Sequence, residues 1–324
     1  MTRNEKRKLI LNALHNFPTL PIRTLARYIL AEHGEYFDGN LESIRHSIRY
    51  ITGAEGEANR KQLGENIIKR GPVKMPLTWR VQKDEYDLVP GKWLVIGDIH
   101  VPFHDPQAVA SAIKYGQDAK VTGVLLNGDI QDCAAVSHWP TTVKRDFDRE
   151  MKATIQFLDY LCQEFPTQKI VYKMGNHEGR LPRYYASKAP ELIGLPLLAM
   201  DNILGLDYRG IDVVEWKQIV NAGKLPILHG DEYRMSAAVN AARGLFLKAK
   251  SWALMGHLHT TSEHSARDIR GTLITTWSHG CLCDLGPDYA PFNDWNHGFA
   301  LVTVKKDGNF FVDNKRILPD ATVV

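Results

Sequence analysis

Five short blocks stand in order along this sequence, and each closes an apolar run with residues that bind metals. They read Gly97-Asp98-Ile99-His100, Asn127-Gly128-Asp129, Gly175-Asn176-His177-Glu178, His229-Gly230-Asp231 and Gly256-His257-Leu258-His259. The runs before them are residues 93–96, 121–126, 169–172, 225–228 and 253–255. A short apolar run bounded by glycine reads as a buried strand. Helical stretches at residues 106–115 and 146–165 separate some of these strands, so the pattern predicts a mixed α/β sheet core. In such sheets ligands bind at the C-terminal strand ends, where all five blocks fall. A fold for this chain has to bring five distant strand ends together.

The residue types then set the chemistry. Aspartate oxygen and histidine nitrogen suit hard or borderline divalent cations. One carboxylate close to two cations can bridge them, while neutral imidazole and an asparagine carbonyl add donors without adding negative charge. Two such cations about 3.5–4 Å apart are a common device for displacement at phosphorus. The glycines beside the ligands are expected to let the backbone turn sharply there.

Bulk properties exclude other classes. No stretch of eighteen apolar residues stands among the 324, so no membrane span is expected. The charged start, Met1-Thr2-Arg3-Asn4-Glu5-Lys6-Arg7-Lys8, leads into an apolar stretch broken by Asn12, His15 and Asn16, unlike a secretory leader. Four scattered cysteines make no disulfide framework, and Cys281 and Cys283 read as small buried hydrophobes. A reducing, cytoplasmic setting follows.

The net charge of +3 is uneven, since residues 1–80 hold 14 Lys plus Arg against 8 Asp plus Glu. Within that front segment, helices are expected at about residues 4–15, 22–32 and 41–51. Ile10, Ala13, Leu14 and Phe17, then Leu25, Ile29 and Leu30, then Leu41, Ile44, Ile48 and Ile51 recur at helical spacing. Three helices with Arg45, His46 and Arg49 on other faces of the third suit a helix-turn-helix or winged-helix module, a docking bundle or a helical cap. Residues 1–55 are read as this helix-turn-helix-like domain. Residues 56–90 are a linker with a possible strand at 78–81, and 91–324 are the metal-binding domain. Nucleic acid is the expected partner of the basic front.

From about Trp93 to Val304 the sequence resembles the calcineurin-like metallophosphoesterase superfamily, block for block. The resemblance implies an α/β fold, a four-layer β-sandwich flanked by helices, preceded here by the small helical domain. It also implies a dinuclear site in which Asp98, His100 and His259 bind one cation, Asn176, His229 and His257 the other, and Asp129 both. Manganese is the expected cation, with iron, zinc or nickel also compatible with the donors. His177 matches the histidine that protonates the leaving oxygen or steadies the transition state in hydrolysis at phosphorus.

Departures from the pattern narrow the substrate. Ser/Thr protein phosphatases of this superfamily continue the second block with Asp-Arg-Gly, whereas this chain has Asp132-Cys133. Arg180, Arg183, Tyr184 and Tyr185 follow the third block and suit gripping a phosphodiester backbone or stacking a base. His104 with Asp105, and His138 with Trp139, sit in loops after the first and second blocks and are candidates to line the substrate pocket, the alternative being plain solvated loop residues. The aromatic stretch 288–298 either shapes the pocket rim or closes the second sheet. The expected activity is phosphodiester hydrolysis on nucleic acid. Small nucleotides, cyclic nucleotides, or less readily phosphoproteins are the alternatives.

Overall fold

The computed structural model describes residues 2–53, 75–76, 84–139, 144, 146–233 and 240–324. The chain divides into two compact units, Met1–Arg80 and Val81–Val324. The possible strand at 78–81 lies outside the described residues.

In the first unit, α1 (Arg3–Asn16), α2 (Ile22–His33) and α3 (Leu41–Thr52) close around Ile10, Ala13, Leu25, Ala26, Ile29, Phe37, Ile44, Ile48 and Ile51. Thr2 and Glu5 form a capping box on α1, and Asn40 caps α3 through Glu42 N and Ser43 N. Among the described residues no helix is long and apolar enough to cross a membrane.

The second unit holds two six-stranded sheets among the described residues. The first contains β2 (Gly91–Ile96), β3 (Gly123–Asn127), β4 (Lys169–Lys173), β5 (Asp212–Val214), β11 (Gly298–Val304) and β12 (Phe310–Arg316), in the order β12-β11-β2-β3-β4-β5. The second contains β1 (Tyr86–Asp87), β6 (Val220–Ala222), β7 (Leu225–Ile227), β8 (Ala253–Met255), β9 (Ser262–Arg267) and β10 (Leu273–Ser278), in the order β1-β6-β7-β8-β10-β9. Within the stretch read as a linker, Tyr86 and Asp87 pair in parallel with Val220 and Asn221.

Alternate residues face alternate layers, as the strand period requires. Trp93, Val95, Leu125 and Val171 of the first sheet meet Val220, Ala222, Leu225, Ile227 and Leu254 of the second. Leu94, Ile96, Val124, Leu126 and Ile170 point outward and pack under helices α4 (Pro106–Asp118) and α5 (Phe147–Glu164). On the far side, Leu228, Ala253 and Met255 pack with Ala241 and Leu245 of a later helix, Ala241–Ala249. The result is helix, sheet, sheet, helix, the expected four layers. Strands β2, β3 and β4 run parallel, as do β7, β8 and β10. Their C-terminal ends therefore emerge along one edge of the sandwich, three blocks from one sheet and two from the other.

A donor cluster at the strand ends

The backbone at these strand ends is bent in an unusual way. Asp98, His100, Asp129, His257 and His259 all have positive φ, between 51° and 67°. This left-handed region is unfavourable for side chains bearing Cβ, and such residues concentrate at functional sites. Five ligands make sharp turns themselves, and Gly128 at φ 86° and Gly230 at φ 133° make them as expected of glycines beside ligands. Other glycines beside them serve a different need, which is space. A Cβ on Gly175 would lie 2.3 Å from Asp129 Oδ1, and one on Gly256 would lie 2.5 Å from Asp98 Oδ2.

The turns converge on two groups of donors. His100 Nε2 is 3.2 Å from His259 Nε2, which is 3.2 Å from Asp98 Oδ1. His229 Nε2 is 3.0 Å from Asn176 Oδ1 and 3.2 Å from Asp129 Oδ2. Donor atoms of Asp129, His229 and His257 lie within 4.8 Å of one another, and so do those of Asp129, His100 and His177. Asp129 thus belongs to both groups. Adjacent donors on one cation, each about 2.0–2.2 Å from it, stand roughly 3 Å apart. The observed spacings match. Two imidazole nitrogens aimed at each other gain little alone, and the buried Asp98 Oδ1 has no hydrogen-bond donor aligned on it. The donor set fits divalent cations.

Outer contacts aim the ligands. His229 Nδ1 donates to Asn127 O at 2.9 Å, leaving Nε2 for the cluster. His100 Nδ1 meets Asp132 Oδ1 at 3.0 Å. His257 N donates to Asp98 Oδ2 at 2.9 Å, tying the fifth block to the first. Glu178, 1% exposed, accepts from Asp129 N, Ile130 N, Gly175 N and Tyr172 Oη at 2.8–3.0 Å. Burial and the Asp129 charge push Glu178 up, against donors that favour its carboxylate.

The electrostatics favour cations. Burial opposes ionisation of Asp98, yet His259 beside it holds its carboxyl well below the usual range. Burial would push His229 down, but the Asp129 carboxylate raises it to about 10, so a cation bound there displaces a proton from its ring. Burial, then the neighbouring His177, lowers His100 to about 4, which keeps it neutral as a ligand must be. Manganese at about a hundred times its dissociation constant is expected to stabilise the fold by about 2.7 kcal/mol. The check is the denaturant midpoint with the cation and after EDTA. A midpoint indifferent to both would mean the cluster does not bind it.

His177 N donates to Asp129 Oδ1 at 2.8 Å, and its ring lies at the rim. Nδ1 donates to Asp132 O at 2.8 Å, and Nε2 receives Arg180 Nη2 at 2.8 Å. Arg180 also donates to Asp132 O at 2.8 Å. Both side chains line a cavity of about 810 Å³ together with His100, Phe103, Trp139 and Tyr289. Cys283, Asp288 and Trp295 line it too, so the aromatic stretch after residue 287 reaches its wall. The other candidate substrate residues stand elsewhere. Arg183 lies over Trp216, 4.2 Å from the ring centroid, held by cation–π attraction. Tyr184 is exposed on helix α6 (Arg180–Lys188) beside Tyr185. His104 packs near Phe157.

The sequence left three contributors unassigned. Asp132 serves two histidines at once. His279, fully buried, ends β10 as a sixth strand-end histidine and meets Asn127 Nδ2 at 3.1 Å through Nε2. Its signal was present in Ser278-His279-Gly280, another strand closing on histidine and glycine. The buried Lys173–Glu232 pair, at 2.9 Å, braces the fourth block and carries no such signal.

A family model described as calcineurin-like phosphoesterase matches residues 91–276, more than half of the chain. The Gene 54 protein of Mycobacterium phage L5 is 25% identical over 225 residues, 65% of this chain and 88% of that protein. Among solved structures, Vacuolar Protein Sorting 29 from Cryptosporidium parvum is similar at 15% identity and a TM-score of 0.38, covering 73% of this chain and 96% of that one. YfcE, a phosphoesterase from E. coli, is similar at 12% identity and a TM-score of 0.31, covering 68% and 96%. Strand ends that deliver aspartates, histidines and an asparagine in this order and geometry agree with the match over 91–276: the chain belongs to the calcineurin-like phosphoesterase family and is a metal-dependent phosphoester hydrolase.

Proposed function

We propose that the chain hydrolyses phosphodiester bonds of nucleic acid with manganese at the donor cluster. The observation that carries this reading is the cavity at the cluster. It is lined by His100, Asp132, His177 and Arg180 together with Phe103, Trp139, Tyr289 and Trp295. A nucleotide needs both, a cationic place for phosphate and flat apolar surface for a base. About 810 Å³ lies within the roughly 300–1,000 Å³ usual for such ligands. Cations bound at the cluster supply charge for the phosphoryl oxygens and a lowered water pKa. Arg180, which donates to His177 Nε2 at 2.8 Å, turns to a phosphoryl oxygen, and the nitrogen it leaves assists the leaving oxygen. The basic helical unit at the front holds the nucleic acid strand.

With manganese, bis-p-nitrophenyl phosphate is expected to turn over faster than p-nitrophenyl phosphate, and short single-stranded oligonucleotides are expected to be cut. EDTA should stop both. Turnover of monoesters, mononucleotides or cyclic nucleotides without cleavage of oligonucleotides would refute the nucleic-acid reading.

A further inference from the structure

We infer that Arg183 and Lys217, stacked on Trp216, form a second phosphate subsite that grips a single-stranded nucleic acid away from the bond being cut. This rests on the nucleic-acid reading above and extends it to how a polymer is held.

Trp216 stands between two of the blocks. Its Nε1 donates to Asp231 Oδ2 at 2.8 Å, within the fourth block. It also lies against Gly179, where a Cβ would come 3.4 Å from the indole. Gly179 follows directly on the third block and precedes Arg180. The ring is therefore anchored to segments that carry His229 on one side and His177 on the other.

Two cations rest on this ring. Arg183 Cζ is 4.2 Å and Lys217 Nζ 4.4 Å from its centroid. Lys217 adopts φ 66°, a backbone conformation lysine seldom takes. Both residues are exposed. Among the described residues neither forms an ion pair with a carboxylate. Like charges sharing one indole repel, and an exposed cation–π contact offsets little of that. A strand phosphate beside this ring lowers the repulsion and takes charge-assisted hydrogen bonds from whichever of the two side chains reaches it. Such contacts position a strand without reading its bases.

Arg180 and the aromatic cavity take the nucleotide at the cluster, while this pair takes a phosphate further along. A small diester has no group to reach it and a polymer does. The patch thus favours oligonucleotides over mononucleotides.

The test uses the full chain with Arg183→Gln, Lys217→Gln and the double variant. Short oligothymidylate and oligouridylate are one pair of substrates, and bis-p-nitrophenyl phosphate is the reference. The double variant should raise KM for the oligonucleotides at least fivefold more than for the small diester. The slope of log affinity against log salt, read by anisotropy of labelled oligothymidylate, should fall by about 0.7, the value for one phosphate no longer neutralised on a single strand. Equal losses on both substrate classes would mean that the pair only supports Trp216 and would overturn the subsite. Unchanged oligonucleotide KM and salt slope would overturn it too. If the unaltered protein hydrolyses the small diester and ignores both oligonucleotides, the nucleic-acid reading falls and the subsite falls with it.

Discussion

Glu178→Gln is expected to lower stability by about 2–6 kcal/mol, roughly 1–3 for each of two buried N–H groups left without an acceptor, and to slow hydrolysis roughly a hundredfold. The side chain is not among those that line the cavity. Its two oxygens collect Asp129 N, Ile130 N, Gly175 N and the Tyr172 hydroxyl, and Gln131 N approaches at 3.4 Å. Every partner is a donor. A glutamine of the same shape must turn its amide NH₂ toward donors, so at least two buried N–H groups lose their acceptor. The loss falls where the chain bears strain, since Asp129 sits at φ 52° and depends on the following turn being held. If that turn relaxes by an ångström, Asp129 leaves the position where it faces both His229 and His100, and geometry lost on that scale costs about a hundredfold in rate. Denaturant unfolding of the metal-free protein gives the stability change, and kcat on bis-p-nitrophenyl phosphate gives the rate. A variant with the parental midpoint and rate would show that the turn holds itself.

Much of this architecture could be read in the sequence because burial and chemistry coincide in the same short blocks. The runs ending at Ile96, Leu126 and Tyr172 are apolar on both faces, since one face meets the second sheet and the other meets helices. That continuity is what marks a run as a buried strand. The front helices fall within about one residue of their expected ends because Pro21, Gly34 and Asn40 punctuate them. Strand β9 was harder to see, as its pattern of half-buried and exposed residues at an edge resembles a loop.

Site geometry was legible only where a residue type had one plausible use. An aspartate and a histidine at a strand end announce a ligand. Arg183 and Tyr184 announce nothing specific, and neither is among the residues that line the cavity; Arg183 lies on Trp216. The turns at Gly128 and Gly230 were expected, but the role of two other glycines was hidden. Gly175 and Gly256 leave room for carboxylates from blocks far away in sequence, which no local pattern reveals.

Lys173 is the clearest case of a contribution that sequence conceals, and Lys173→Met is expected to cost about 3–5 kcal/mol and to weaken cation binding about 10–100-fold. The residue ends β4 with no exposed surface. Its Nζ meets Glu232 Oε1 at 2.9 Å and donates to Gln218 O at 2.7 Å. Glu232 in turn accepts from His229 N at 3.1 Å and Gly230 N at 2.7 Å, so the pair ties the fourth block to the end of β4, where the third begins. Methionine fills a similar volume and leaves Glu232 charged and alone in a buried place. Burial works against that charge, and in the parent protein Lys173 holds the Glu232 carboxyl below its ordinary range. A carboxylate lowered on folding contributes stability above its unfolded pKa of about 4.3 and loses it as pH falls through the folded value. The gap between parent and variant should therefore be full near neutral pH, shrink as pH falls, and be smallest below the lowered folded value, where Glu232 takes up a proton in both. Denaturant midpoints across that range test the sign, and isothermal titration with manganese tests the ligand geometry. A gap that widens in acid would exclude the Lys173–Glu232 pair as its source. Full cation affinity despite the lost stability would mean that His229 is aimed by Asn127 O alone.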